Sequence, residues 1–162
     1  MKKHTGFTLI ELLVVVAIIA LLAATILASL GGARTKARVS RAKSEMSSIR
    51  SQMEIYYNTH NGFTTGGIVN GCAQGPFDPA GGADNASRLV QGIAQTVNGN
   101  ATSFYNMYCI ADEGSWAVSA VLPDGVLWCV DHNGGSRAGI DSNGNPTTSV
   151  AWAITPSPHQ CY

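Results

Sequence analysis

Residues 7–30 read FTLIELLVVVAIIALLAATILASL, twenty-four residues in which the only charged side chain is Glu11. As an α-helix rising about 1.5 Å per residue, the stretch spans roughly 36 Å, enough for a bilayer core of about 30 Å. It is too long for the apolar region of a secretory signal, about 7–15 residues, and such a region holds no acid. A lipoprotein signal is also not favoured, since the first cysteine is Cys72. Lys2 and Lys3 precede the stretch, so the N-terminus is expected to stay in the cytoplasm while everything after residue 30 is exported.

Glu11 is the difficulty. An ionised carboxylate in a membrane helix costs about 2.5–3.5 kcal/mol, so such residues usually have a partner or a function. Downstream, the first cation is Arg34, which lies roughly 35 Å away at helical rise. Upstream, Lys2 and Lys3 lie beyond Gly6 at the membrane face. Hydrolysis between Gly6 and Phe7 would create an α-amine one helical turn from Glu11, a charge of the right sign at nearly the right depth.

The pattern K-K-x-x-G-F-T-L-I-E followed by some twenty apolar residues resembles the prepilin signature of type IV pilins and of the pseudopilins of type II secretion systems. The resemblance covers residues 1–57. It implies that a prepilin peptidase removes the leader, residues 1–6, and methylates the amine of Phe7. Glycine at position 6 suits a protease that must approach the backbone closely. The resemblance further implies that Glu11 of an incoming subunit attracts the Phe7 amine of a neighbour and so sets axial register during filament assembly; pairing within one subunit is the alternative. An assembly ATPase and an inner-membrane platform protein are the implied partners. Many members of the family have a proline partway along this helix; this chain has none, so any bend is expected at Gly31 and Gly32.

Residues 31–57 continue as an amphipathic stalk. Ala42, Met46, Ile49, Met53 and Tyr56 recur at spacings of four and three, which draws one apolar stripe, and Asn61 and Gly62 are stop signals that place the helix end near Asn58. Charge is unevenly spread. Residues 33–55 hold six cations (Arg34, Lys36, Arg38, Arg41, Lys43, Arg50) against Glu45 and Glu54, whereas residues 56–162 hold two cations against seven acids. The basic stalk can face lipid headgroups before assembly and acidic heads of neighbours afterwards. An acidic head argues against direct nucleic-acid affinity.

Residues 58–162 form the head. Its four cysteines, Cys72, Cys109, Cys129 and Cys161, are an even count in a small Gly-rich exported domain and read as two disulfides. No pair has C-x-x-C spacing and no histidines cluster with them, which argues against metal. Three pairings are possible, and sequence order favours Cys72 with Cys109 and Cys129 with Cys161. Residues 62–85 read as a connecting loop held by Cys72, and residues 86–97 as a short helix carrying Leu89, Val90, Ile93 and Val97. Strands are expected over 102–110, 115–122 and 126–131, with a possible fourth over 137–140. The fold class is therefore α+β: a long N-terminal helix laid on a small antiparallel sheet of three or four strands, the layout that the resemblance also implies.

Enzyme signatures are missing: there is no G-x-S-x-G, Walker loop, H-E-x-x-H or G-x-G-x-x-G. Asp141, Asn143 and Asn145 alternate as in a calcium loop, but Gly144 is misplaced, Pro146 intrudes and no bidentate glutamate follows, so a Gly/Asn-rich turn is preferred and no cofactor is expected. Trp116 and Trp128 fall in strands and read as core rather than as a ligand platform. The leading functional reading is a structural subunit that polymerises through residues 7–30. A secretion pseudopilin is the alternative, and a DNA-uptake or adhesion minor pilin is a third.

Overall fold

A computed structural model of the chain describes residues 7–64, 67–78, 85–140 and 160–161. The elements in order are α1 (Leu9–His60), β1 (Val69–Asn70), a 3-10 turn (Gly75–Phe77), α2 (Asn85–Asn98), β2 (Met107–Ala111), β3 (Trp116–Val121), β4 (Leu127–Asp131) and β5 (Ser136–Ala138). Two compact units divide the chain, Met1–Lys36 and Ala37–Tyr162.

Within the first unit, α1 has no core of its own. The described side chains of residues 9–27 and Leu30 are all exposed, from Leu9 at 79% to Leu30 at 37%. An apolar side chain gains its stability from leaving water, so this half requires lipid or other helices around it. The helix runs through Gly31 and Gly32 without interruption, and the Thr35 hydroxyl donates to the Gly31 carbonyl. Two glycines lower helix propensity by about 1 kcal/mol each relative to alanine, yet hydrogen bonding continues across them.

The second unit owes its existence to the apolar stripe of α1. Ala42, Met46, Ile49 and Met53 are fully buried, and they join one core with Phe77, Val90, Ile93, Cys109, Trp116, Val118 and Val130. Tyr56, the last residue of the expected stripe, is only half-buried and stacks on His60 with ring centroids 4.0 Å apart. The helix ends two residues later than the stop signals suggest. Asn61 adopts φ 57°, a left-handed conformation that asparagine tolerates, and its N–H donates to the Tyr57 carbonyl at 2.7 Å.

The sheet is a five-stranded antiparallel meander in the order β1-β2-β3-β4-β5. It holds one more strand than the sequence suggests, because the two-residue β1 pairs Val69 with Ala111 and Asn70 with Ile110. Residues 102–106, expected to open a strand, make turns instead: Asn100 Oδ1 accepts from the Thr102 N–H and hydroxyl, and Met107 N–H donates to the Phe104 carbonyl. The 3-10 turn at Gly75–Phe77 was also not foreseen, and it buries Pro76 and Phe77. Gly75 is required there, since its φ is +55° and a Cβ would press on Val69.

Register places Met107, Cys109, Ala111, Trp116, Val118, Ala120 and Val130 on the face toward the helices. Ile110, Ala117, Leu127 and Cys129 lie on the other face, where they form a second buried cluster with Cys161. Both faces are buried, so these strands show no alternation between buried and exposed positions. Asp131, 1% exposed, closes the end of β4. Its Oδ1 accepts from the N–H groups of Asn133 and Gly135, and its Oδ2 accepts from the Cys161 N–H at 2.8 Å. Arg50 of α1 donates to the carbonyls of Asp131 and Gly135, tying the helix to the same turn.

Two stability measurements follow from this packing. In chemical denaturation of the detergent-solubilised chain, Ile49→Ala is expected to cost about 2–5 kcal/mol, while Ile55→Ala, at a side chain 55% exposed, stays within about 0.5 kcal/mol. Asp131→Ala strands the buried Cys161 N–H and takes the acceptor from two part-buried N–H groups, and is expected to cost about 2 kcal/mol in the same assay.

Candidate processing and assembly site

The start of α1 is built by two side chains. Thr8 occupies the N-cap: its carbonyl accepts the first helical bond, from the Leu12 N–H at 3.3 Å, and its hydroxyl oxygen accepts from the Glu11 N–H at 3.3 Å. Glu11 answers in the opposite direction, its Oε2 accepting from the Thr8 N–H at 2.9 Å and from the Thr8 hydroxyl at 2.8 Å. This is a reciprocal capping box, threonine at the cap and glutamate three residues on. Two backbone donors that a helix start leaves without intrahelical partners are thereby satisfied inside the helix.

The capping box changes the account of Glu11. Reading the sequence for charges alone left the carboxylate without a partner before cleavage, whereas the structure gives it one within its own first turn. The signal was present as T-x-x-E immediately before an apolar run, and it was missed because the search was for a cation. Carboxylates are also favoured at a helix N-terminus by the aligned peptide dipoles. Both bonds fall on Oε2; among the described residues Oε1 takes none.

Phe7, next to the cap, is 87% exposed. Gly6 and the leader lie outside the described residues. Behind the cap, the helix supplies the one segment among the described residues that is long and apolar enough to cross a membrane, with a mean hydropathy of 2.9 over eighteen residues, none of them buried. The assembled geometry is thus an exposed Phe7 beside the cap, a carboxylate held in the first helical turn, and an apolar cylinder whose described side chains are uncovered.

The cysteines belong to the second unit. Cys72 bonds Cys109 and Cys129 bonds Cys161, with Cα separations of 4.8 and 5.7 Å. Trp116 is fully buried and Trp128 half-buried, with the Lys43 ammonium 3.8 Å above its ring; Trp152 and the 141–147 turn lie outside the described residues. No group of three or more His, Cys, Asp or Glu side chains gathers in a metal-binding arrangement among the described residues. The stalk cations are not equally free. Lys43 is committed to Trp128, Arg50 to the β4–β5 turn, and Arg41 donates to Glu45 Oε1 at 2.8 Å, a bond that raises the pKa of Arg41 above its ordinary value.

Comparison with known proteins gives one result. No match is found among curated proteins or among solved structures. Residues 1–27 match the family described as the prokaryotic N-terminal methylation motif. That stretch contains Gly6, Phe7, the Thr8–Glu11 cap and most of the apolar cylinder, so this chain carries the type IV pilin and pseudopilin signature at its N-terminus.

Proposed function

We propose that this chain is a structural subunit of a type IV pilus-like filament, not an enzyme. It is inserted in the cytoplasmic membrane with its head exported. A prepilin peptidase cleaves it between Gly6 and Phe7 and methylates the new terminus, and an assembly ATPase with a platform protein then polymerises it. The observation that carries this reading is the first half of α1, whose described side chains over residues 9–27 and at Leu30 are all exposed and which overlaps the methylation motif of residues 1–27. In the membrane, lipid covers that surface. In a filament, the same surface is covered by the helices of neighbouring copies, so the extraction of a subunit exchanges one apolar environment for another.

The first turn directs this exchange. Hydrolysis of the Gly6–Phe7 peptide bond leaves a basic α-amine, and methylation keeps it basic. Thr8 holds Glu11 through Oε2, which leaves Oε1 to accept from the amine of an adjacent copy. A charge without a partner in a dry bundle is expensive, so only a stagger that pairs amine and carboxylate is stable.

Mass spectrometry of the mature protein is expected to find a chain starting at N-methylated Phe7; functioning protein with an intact Met1 would refute the processing. Long surface filaments made mainly of this chain identify a pilus, whereas secretion failure without such filaments identifies a pseudopilus. Cap and charge are separable by substitution. Glu11→Gln keeps an acceptor for the Thr8 N–H but loses the charge, and is expected to lower filament yield at least tenfold. Thr8→Val removes the cap alone, about 1 kcal/mol, and is expected to lower yield no more than about fivefold. Equal assembly of Glu11→Gln and the unaltered chain would eliminate the charge mechanism.

A further inference from the structure

We propose that the unit Ala37–Tyr162 carries the two halves of a head-to-tail contact with a second copy of this chain, the acidic β2–β3 turn at Glu113 seating in a groove lined by Arg38 and Arg41. The inference rests on the filament reading above and specifies which surfaces of neighbouring copies meet.

The groove is a shallow recess of about 430 Å³ between α1 and the last turn of α2, lined by Arg38, Arg41 and residues 95–99. The two helices approach closely one turn further along each of them. Glu45 lies over Gly92, where a Cβ would come within 3.2 Å of its carboxylate, and the Arg41–Glu45 pair holds the rim. Arg38 is exposed and has no hydrogen bond or ion pair among the described residues, and Val97 adds a half-buried apolar wall. The recess therefore offers a free guanidinium, the outward N–H groups of a second one, and a small apolar surface.

The complementary half is at the other end of the same unit. The turn between β2 and β3 is stiffened from within: Asp112 Oδ1 accepts from the Gly114 and Ser115 N–H groups and its Oδ2 from the Ser115 hydroxyl, while the Glu113 carbonyl accepts from the Phe63 N–H. Asp112 is thus spent on the turn, and Glu113 is left projecting and exposed. Ile68, 65% exposed, stands beside it in a depression of about 290 Å³ that Asp112 and Glu113 also line. Glu54 is exposed nearby and lines a neighbouring depression with Tyr57 and His132. An anionic, stiff turn with an apolar flank matches a cationic groove with an apolar wall.

The two halves cannot meet within one molecule. Nineteen residues of α1 separate Arg41 from the helix end at His60, roughly 28 Å of rise, and the acidic turn lies just beyond, against Phe63. Different patches at opposite ends of one compact unit make a heterologous contact, the kind that propagates into an open helical array instead of closing a dimer. The two cations of the head stand elsewhere: Arg88 is in the first turn of α2 and Arg137 is on the edge strand β5, paired in register with Cys129.

Charge reversal in the full-length chain, in cells that produce it, tests the contact. Arg38→Glu and Glu113→Lys are each expected to lower the yield of sheared filaments at least tenfold, with cleavage at Gly6 and protein level unchanged. The double variant is expected to recover to within about twofold of the unaltered chain. Single variants that assemble normally, or a double variant that fails to recover, would overturn the contact. Should a reversal lower the protein level, Arg38→Gln and Glu113→Gln take its place: each is expected to lose about threefold in yield, and unchanged yields would overturn the contact equally. If Arg38 serves an anionic lipid surface instead, Arg38→Glu lowers yield but Glu113→Lys does not, and this also overturns it. Filaments from the unaltered chain alongside normal assembly of all variants refute only this contact, whereas a correctly cleaved chain that never forms filaments refutes the functional reading itself.

Discussion

One uninterrupted helix must satisfy two solvents, and everything else in the chain accommodates that constraint. Over residues 9–30 α1 is apolar all round and no described side chain is covered. From Ala42 to Met53 only one stripe is apolar, and that stripe is fully buried. A stripe suits packing against a sheet; a cylinder suits lipid or a bundle of like helices. The second unit takes the stripe into its own core, and the described side chains of the cylinder are left uncovered.

A domain this small has little apolar area to bury, and the head compensates by burying both faces of its sheet. Cys109 belongs to the helix-facing cluster and Cys129 to the opposite one. The Cys72–Cys109 and Cys129–Cys161 bonds therefore staple opposite sides of the same sheet, and opposed orientation keeps Cys109 and Cys129 from pairing with each other. Asp131 reinforces the second staple by binding the Cys161 backbone through the same carboxylate that shapes the β4–β5 turn. A buried carboxylate is tolerable here because three N–H groups replace its water.

Glu11 combines a place in local structure with the charge of the apolar segment. As the third residue of the helix it completes a capping box with Thr8, which fixes where α1 begins and holds the carboxylate at the level of the N-terminus. The same side chain is thus both a helix-start signal and the single charge of the apolar segment. These roles are compatible because the cap uses one carboxylate oxygen and leaves the other.

Several features were legible in the residues alone because they depend on nearest neighbours along the chain. The apolar run of residues 7–30, the stripe at Ala42, Met46, Ile49 and Met53, the helix near residues 86–97 and three of the strands all follow from periodicity, and the order of the cysteines pointed to the bonds that form. The N-terminal signature was legible for the same reason, being contiguous. The short strand β1, the 3-10 turn that buries Phe77, the burial of both sheet faces, and the commitment of Lys43 to Trp128 and of Arg50 to the β4–β5 turn were not. Each depends on groups distant in sequence meeting in space, where hydrogen-bond geometry and close packing choose among partners that composition cannot rank. The residues alone determined that this chain has a membrane-compatible helix and a disulfide-bonded head. Only the tertiary structure decided which charges are consumed within the head and which remain outside, because that depends on what each side chain can reach.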